Sequence, residues 1–172
     1  MRKGNLLPSS TDIDLRANGR VSTLSQYIYS PTGERIGVEQ VHLEAPGDIS
    51  IAGNGGVEMQ AAQVIAWESL TIRSERGDVI DRQIVTDMVS SHVNDDTAIQ
   101  KSTATTTSLV AGEGMTIEAG GKIQQQGTQM RAGKKGIRFD AQEHSIKPAV
   151  EETVVLQVAN GGRTDKVKGA NE

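Results

Sequence analysis

Apolar and polar residues alternate in short stretches along most of the chain. Strict alternation places every second side chain on the same face of a β-strand, whereas an amphipathic helix needs apolar residues three and four positions apart. Glycine and other turn residues separate the stretches. The pattern therefore predicts an all-β chain of short strands. Five stretches share the order apolar, any, apolar, any, small: residues 41–45, 57–61, 70–74, 115–119 and 137–141.

The alternating stretches belong to a longer repeat. A second short strand, at residues 64–66, 109–111 and 130–132, precedes three of them across a short turn. Met115 and Ile137 begin two successive copies and are 22 residues apart. A period of about 20 residues with alternation inside it is typical of a β-solenoid, in which each turn of chain stacks about 4.8 Å above the last. The repeat predicts about five or six such turns.

The repeat covers the middle of the chain and leaves two flanking parts without it. Two turn signals come first, Asn18-Gly19 and Pro31-Thr32-Gly33, and they predict antiparallel hairpins. At the other end residues 160–172 have no apolar pattern apart from the single Val167, so we expect a flexible tail. The predicted parts are a hairpin and cap region at residues 1–40, a solenoid at 41–159 with a polar excursion at 84–108, and the tail at 160–172.

The composition limits which residues can form the core and which partners the chain can bind. Only four of the 172 residues are aromatic, so the core must be built mainly from aliphatic side chains. The formal net charge of -4 argues against nucleic acid or an anionic membrane as a partner. The lack of cysteine excludes a disulfide framework. The first residues contain no apolar signal-peptide segment, and no apolar run reaches the roughly 18 residues of a membrane span.

The best-defined part of the repeat, residues 105–146, resembles the haemagglutinin-repeat region of two-partner-secretion exoproteins. These are filamentous haemagglutinins and the stalks of contact-dependent growth inhibition toxins. The Thr-rich lead at 105–107, the strand and turn at 115–123 and the second strand pair at 127–141 match that repeat in order. The resemblance implies a right-handed parallel β-helix in a stalk that is secreted or held on the bacterial outer surface.

The resemblance also implies partners and a role. An adhesive or toxin-presenting stalk would contact a receptor or glycan on a host or neighbouring cell, and the parent protein would use an outer-membrane transporter during secretion. It implies no catalysis and no cofactor in this segment. We therefore expect a structural and adhesive piece of a larger exoprotein. Because both ends of a solenoid expose strand edges, end-to-end self-association is a further hypothesis.

Two acidic residues follow corner glycines and are candidates for a calcium site. Asp48 and Asp78 take similar places in the repeat, and stacked carboxylates are suitable Ca²⁺ ligands. Lys122 takes the third such place, however, and would interrupt an acidic ladder. Capping of local backbone amides is therefore favoured over metal binding.

The other charged candidates are better explained as surface residues. The histidines are too scattered for metal-ligand spacing. An acidic pair lies in the polar excursion, and a basic cluster lies in and around a glycine turn with flanking acids, which favours exposed turns over a catalytic pair or a phosphate site. We expect no catalytic residue and no bound metal. The residues concerned are His42, His92, His144, Asp95, Asp96, Arg131, Lys134, Lys135 and Arg138.

Trp67 is the candidate for a glycan contact. It stands in a turn, where an indole either offers a platform for a sugar ring or covers a corner of the solenoid, and both interpretations remain open. Parallel β-helices also include polysaccharide lyases and hydrolases, so a carbohydrate-binding or polysaccharide-processing β-helix is the alternative to an adhesive scaffold. A phage tail or baseplate β-helix is a remoter alternative.

Overall fold

Short β-strands joined by tight turns make up most of the molecule. The computed structural model describes residues 11–94, 97–159 and 163–171. Most of these residues lie in strands, and none of them lies in a helix. Accordingly, the described residues include no helix suited to crossing a membrane. The prediction of an all-β chain is confirmed.

The chain passes through three strand positions in a fixed order and then begins again. We call each pass a coil. The first coil contains β1 (Ile13–Ala17), β2 (Arg20–Leu24), β3 (Gln26–Tyr29), β4 (Arg35–Glu39) and β5 (His42–Ala45), and the second contains β6 (Ile49–Gly53), β7 (Gly56–Gln60) and β8 (Gln63–Ala66). The third contains β9 (Ser69–Ser74), β10 (Val79–Arg82), β11 (Ile84–Val85), β12 (Val89–Asn94), β13 (Thr97–Lys101), β14 (Ala104–Thr105) and β15 (Ser108–Ala111). The fourth contains β16 (Gly114–Ala119), β17 (Lys122–Gln126) and β18 (Gln129–Ala132), and the fifth contains β19 (Gly136–Asp140) and β20 (Glu143–Lys147), followed by β21 (Glu151–Ala159) and β22 (Arg163–Asn171).

Equivalent strands of successive coils lie side by side in three parallel sheets. The first sheet has the order β1-β6-β9-β16-β19, the second β2-β7-β10-β17-β20 and the third β5-β8-β15-β18. The pairing keeps one register, so that Met115 lies between Leu70 and Ile137. Neighbours in each sheet are separated in sequence by strands of the other two sheets. The arrangement is consistent with a parallel β-helix.

The inward side chains of stacked strands form apolar columns inside the three sheets. In the first sheet one column runs through Ile49, Leu70 and Met115, and all three are almost completely buried. Each buried aliphatic side chain contributes roughly 1.5–3 kcal/mol. A single coil buries few of them, so its stability depends on the coils above and below it. The second column of this sheet contains Ile51, Ile72 and Ile117.

The prediction of a hairpin at Asn18-Gly19 is wrong. β1 pairs with β6 and β2 pairs with β7, both in parallel, so Asn18 and Gly19 form a corner between the first and second sheets. Residues 13–24 therefore lie in the stack and not in a cap before it. An Asn-Gly pair signals only a tight turn, whereas the direction of the next strand depends on which strand edges are available to pair with it.

The hairpin predicted at Pro31-Thr32-Gly33 is confirmed. β3 and β4 pair antiparallel on either side of this turn. Gly33 has a φ of 89°, a left-handed conformation that glycine adopts without a steric penalty. Glu34 N donates to Ser30 Oγ at 3.1 Å and closes the loop.

Three excursions leave the stack at the same corner, between the second and third sheets. The β3–β4 hairpin interrupts the first coil, β11–β14 interrupt the third, and β21–β22 follow the fifth. We call these the lateral strands. β12, β13, β21 and β22 form one antiparallel sheet, and β11 pairs with β14. In the second and fourth coils the same corner consists only of Ala61-Ala62 and Gly127-Thr128.

The five alternating stretches do not all occupy the same sheet. Residues 70–74, 115–119 and 137–141 lie in or at the end of first-sheet strands, but 57–61 belong to the second sheet and 41–45 to the third. The pattern fails to separate them because all three sheets need the same inward apolar alternation.

The C-terminal segment predicted to be a flexible tail contains a strand. β22 pairs antiparallel with β21, from Glu151 opposite Asn171 to Ala159 opposite Arg163. Backbone hydrogen bonds form this ladder, and they require no apolar alternation in the sequence. Residues 160–162 and 172 lie outside the described part of the chain.

Candidate functional site

The outer face of the third sheet carries a connected set of polar side chains beside an exposed indole. His42 Nδ1 lies 2.8 Å from Gln63 Oε1, and His42 Nε2 lies 3.1 Å from Glu44 Oε2. The indole Nε1 of Trp67 donates to Glu44 Oε1 at 3.2 Å. We call these four residues the Trp67 cluster.

The strand alternation and the coil register bring the Trp67 cluster together. In β5, His42 and Glu44 point outward while Leu43 packs against the core. Gln63 is the register partner of His42 in the next coil. Trp67 directly follows β8, and its backbone N donates to Ala45 O at 3.0 Å. The indole is thus held at a corner with 61% of the residue exposed.

The hydrogen bonds of the cluster favour the charged forms of its acid and its histidine. The bond with His42, followed by that from Trp67, lowers the pKa of the Glu44 carboxyl. The bond with Glu44, followed by that with Gln63, raises the pKa of the His42 imidazole. Both groups are exposed to water, so the hydrogen bond between them orients the side chains more than it stabilises the fold.

An aromatic face bordered by fixed hydrogen-bonding groups suits a polar ligand that has one apolar face, such as a sugar ring. Glu44 offers carboxylate oxygens next to the indole, and Gln63 offers an amide group beside His42. Among residues 11–94, 97–159 and 163–171, no group of three or more His, Cys, Asp or Glu residues is placed to hold a metal ion. The glycan contact at Trp67 stays a prediction.

Asp48 and Asp78 lie at two different corners and each contacts the next coil. Asp48 precedes β6 of the first sheet, and its Oδ1 accepts a hydrogen bond from Ser69 N at 2.8 Å. Asp78 precedes β10 of the second sheet, and its Oδ1 accepts one from Lys122 N at 2.7 Å. The two carboxylates therefore do not form one ladder. Each joins successive coils by capping a backbone amide.

The remaining histidine and acidic candidates are spread over the molecule. His144 lies near the end of the stack, with its ring centroid 4.1 Å from that of Phe139 and its Nε2 3.1 Å from Gln125 Oε1. His92 lies in β12, in the antiparallel lateral sheet. Asp95 and Asp96 lie outside the described residues.

Acidic neighbours pair with two members of the basic cluster. Lys135 Nζ donates to Glu113 Oε2, and this contact raises the pKa of the lysine. Arg138 lies 3.5 Å from Asp140. Lys134 and Arg131 are at the same end of the stack but in a turn and in the third sheet, respectively. The four cations do not converge on one phosphate-sized position.

The sequence analysis missed a buried carboxylate. Asp81 is 2% exposed and accepts hydrogen bonds from the hydroxyls of Thr107 and Thr128, which come from the next corner of its own coil and from the fourth coil. Burial raises the pKa of Asp81 to about 6, although the two hydroxyls act in the opposite direction. The sequence signal that could have identified Asp81 is its position two residues after Val79, because strand alternation places both side chains inward.

The first sheet carries an open polar groove on its outer face. The residues that line it include Arg16, Arg73, Ser50 and Thr71. Arg16 is paired with Asp14 at 2.7 Å and Arg73 with Glu118 at 3.5 Å. The groove is distant in the fold from the Trp67 cluster on the third sheet, and it contains no exposed aromatic group. The Trp67 cluster is therefore the stronger candidate site.

Comparison with known families supports one repeat within the chain. Residues 89–153, which include lateral strands and the fourth and fifth coils, match the family model of the hemagglutinin repeat. No curated protein matches the chain, and no solved structure matches it. The resemblance to the haemagglutinin-repeat region is confirmed over the matched residues.

Proposed function

We propose, from the hemagglutinin repeat in residues 89–153, that this chain is an adhesive segment of a filamentous haemagglutinin-like exoprotein. The three parallel sheets then form a right-handed parallel β-helix that serves as a rigid, non-catalytic scaffold. The observation that carries the proposal is the combination of this repeat with five coils that keep aliphatic side chains inside and polar side chains outside. Such a stack offers a long lateral surface for contact with another cell.

The adhesive role can be tested with beads that carry the purified chain. We expect beads coated with the folded chain to bind erythrocytes or epithelial cells more strongly than beads coated with the heat-unfolded chain. Equal binding of both preparations, or no binding of either, would contradict an adhesive role.

The location and export of the parent protein are part of the same proposal. Hemagglutinin repeats are typical of secreted or cell-surface exoproteins. We propose that the parent protein crosses the outer membrane through a dedicated transporter and presents this segment in an adhesin or in the stalk of a contact-dependent inhibition toxin. The proposal predicts a secretion domain in the full reading frame and a transporter gene beside it. The proposal would be contradicted if the full reading frame encoded no secretion domain and no transporter gene lay beside it.

Carbohydrate binding at the Trp67 cluster is the second candidate function. It is favoured by the exposed indole, which the hydrogen bond to Glu44 holds in one orientation. On a glycan array we expect Trp67→Ala to abolish binding of the sugars that the unchanged chain retains. Tyr29→Ala is the matched control, because Tyr29 is 59% exposed but lies on the β3–β4 hairpin. Loss of binding in both variants, or in neither, would exclude the Trp67 cluster as the sugar site.

A further inference from the structure

The two ends of the coil stack present strand edges of equal length. One end shows β1 and β2 in the first and second sheets, with five residues each. The other end shows β19 and β20 in the same two sheets, also with five residues each. Each of these strands pairs on one side within its parallel sheet and is an edge strand of it. Edge strands offer unpaired backbone groups to another chain.

The apolar columns also end at these edges. Ile137 and Ile146 lie in inward positions of β19 and β20, yet they are 38% and 58% exposed because no further coil in the described chain covers them. At the opposite end, Ile13 and Val21 are only partly buried against the core. Among the described residues, both ends therefore leave part of an aliphatic cross-section uncovered.

The register of the stack determines how a second copy would continue it. The columns run from Ile13 through Ile49, Leu70 and Met115 to Ile137, so β1 of a second copy would place its Ile13 beside Ile137 of the first. The corresponding column of the second sheet would place Arg20 of the second copy beside Glu143. Because the chain leaves the stack after β20, the junction is made by these two sheets.

That register sets opposite charges side by side on the outer face. Asp14 of the second copy would meet Arg138 of the first, Arg16 would meet Asp140, and Arg20 would meet Glu143. Equivalent register neighbours already form ion pairs inside the stack: Lys122 lies 2.7 Å from Glu143, and Arg73 lies 3.5 Å from Glu118. The outer charges at the two ends would thus pair in the same way as charges on successive coils do within the stack.

We propose that copies of this chain associate head to tail, with β1 and β2 of one copy extending the first and second sheets beyond β19 and β20 of another. The contact joins two different surfaces of the same chain, so it is heterologous and produces open-ended filaments. Paired strand edges, covered apolar columns and three alternating charge pairs stabilise each junction. The inference concerns this chain on its own, without the rest of a parent protein, and it does not depend on adhesion or on sugar binding.

Charge reversal at one pair tests the proposal. In sedimentation velocity at increasing concentration, we expect the mean mass of the unchanged chain to rise and to fall again when salt screens the junction. Arg138→Asp and Asp14→Arg each set like charges opposite one another, and each should weaken association about tenfold. Both residues are well exposed, so neither change disturbs the core. Arg76→Asp makes the same change of charge at an exposed corner of the third coil and should leave association unchanged.

Mixing the two reversed variants provides the decisive comparison. In an equimolar mixture every junction between unlike chains again joins opposite charges, so association should return to the level of the unchanged chain, in alternating copies. A single-chain mass of the unchanged protein at every concentration would overturn the proposal. Association that both reversals leave intact, or a mixture that associates no better than its components, would overturn it as well.

Discussion

Asp81 is a carboxylic acid placed in the interior column of the second sheet, between Met59 and Gln125. Burial disfavours its charged form, which is why its pKa rises to about 6 although Thr107 and Thr128 donate hydrogen bonds to it. The folded chain therefore holds the proton at pH values where the unfolded chain, with an ordinary pKa of 3.8, has lost it. Stability linked to this group is fully present below the unfolded pKa and is lost as the pH rises through the folded pKa.

Replacement of Asp81 by Asn should remove this pH dependence. Between about pH 4 and pH 7 we expect the free energy of unfolding of the unchanged chain to fall by up to roughly 3 kcal/mol through this group. Urea unfolding curves of Asp81→Asn, measured across the same pH range, should show no such fall in the free energy of unfolding. Asp140→Asn is the control, because Asp140 is 65% exposed in its side chain and should leave the fall in place. Identical pH profiles for the unchanged chain and Asp81→Asn would contradict a buried, protonated carboxyl.

Glycine is required at one corner because the backbones of neighbouring coils approach closely there. A Cβ at Gly112 would lie 1.9 Å from the carbonyl oxygen of Trp67, whereas a Cβ at Gly19 would meet nothing within 4 Å. We expect Gly112→Ala to lower the free energy of unfolding by about 1–3 kcal/mol and Gly19→Ala to change it by less than about 1 kcal/mol. Denaturant midpoints of the two variants measure the difference. Equal midpoints would show that the corners are not in close contact.

At the scale of elements, the corner between the second and third sheets accepts insertions because each insertion starts and ends at the same place. Val41 N donates to Ser25 Oγ at 2.9 Å, so the two ends of the β3–β4 excursion lie together. In the register of the sheets, Ser25 and Val41 occupy the positions that Ala61 and Ala62 occupy in the second coil, where the corner is uninterrupted. The excursion is also tied to the next one, since Arg35 pairs with Asp87 at 2.7 Å.

Deletion of residues 26–40, which joins Ser25 to Val41, should therefore preserve the coil stack. We expect the far-ultraviolet β-signal and cooperative unfolding to remain. The loss of stability should be below about 2 kcal/mol, because Ser25 would take the left-handed conformation that Ala61 has in the second coil (φ 50°) and the Arg35–Asp87 contact would be lost. Deletion of residues 63–66 removes β8 from the third sheet and should abolish cooperative unfolding. Loss of the fold in the first deletion would show that the hairpin is a structural part of the stack.

The sequence predicts the strands better than it predicts their partners. Alternation at Met115 and Ile137 correctly indicates stacked neighbours, because inward aliphatic residues repeat at the coil spacing. The same alternation does not distinguish the three sheets, and Asn18-Gly19 marks a corner as readily as a hairpin. The Trp67 cluster could be predicted only in part: Trp67 stands out by its residue type, but its contact with Glu44 depends on the register of β5 and β8.

At the scale of the whole molecule, parallel pairing is what allows short strands with few aromatic residues to form a stable body. Columns such as Ile51, Ile72 and Ile117 place like side chains on top of one another in successive coils. The same register aligns the outer charges and produces the surface on which the Trp67 cluster and the two stack ends depend. A one-residue shift in the register of one sheet would therefore disrupt the fold, the Trp67 cluster and the matching of the two stack ends together.

Disulfide formation between engineered cysteines tests that register most directly, because the natural chain contains no cysteine. Thr71 and Thr116 are partners in adjacent coils and point outward, while Ser50 lies one coil further from Thr116. Adjacent parallel strands are about 4.8 Å apart, within disulfide reach, whereas a separation of about 9.6 Å is beyond it. We predict rapid cross-linking within single chains of Thr71→Cys/Thr116→Cys on mild oxidation and none in Ser50→Cys/Thr116→Cys. Cross-linking of the second pair, or failure of the first in the folded protein, would contradict the stacked parallel coils.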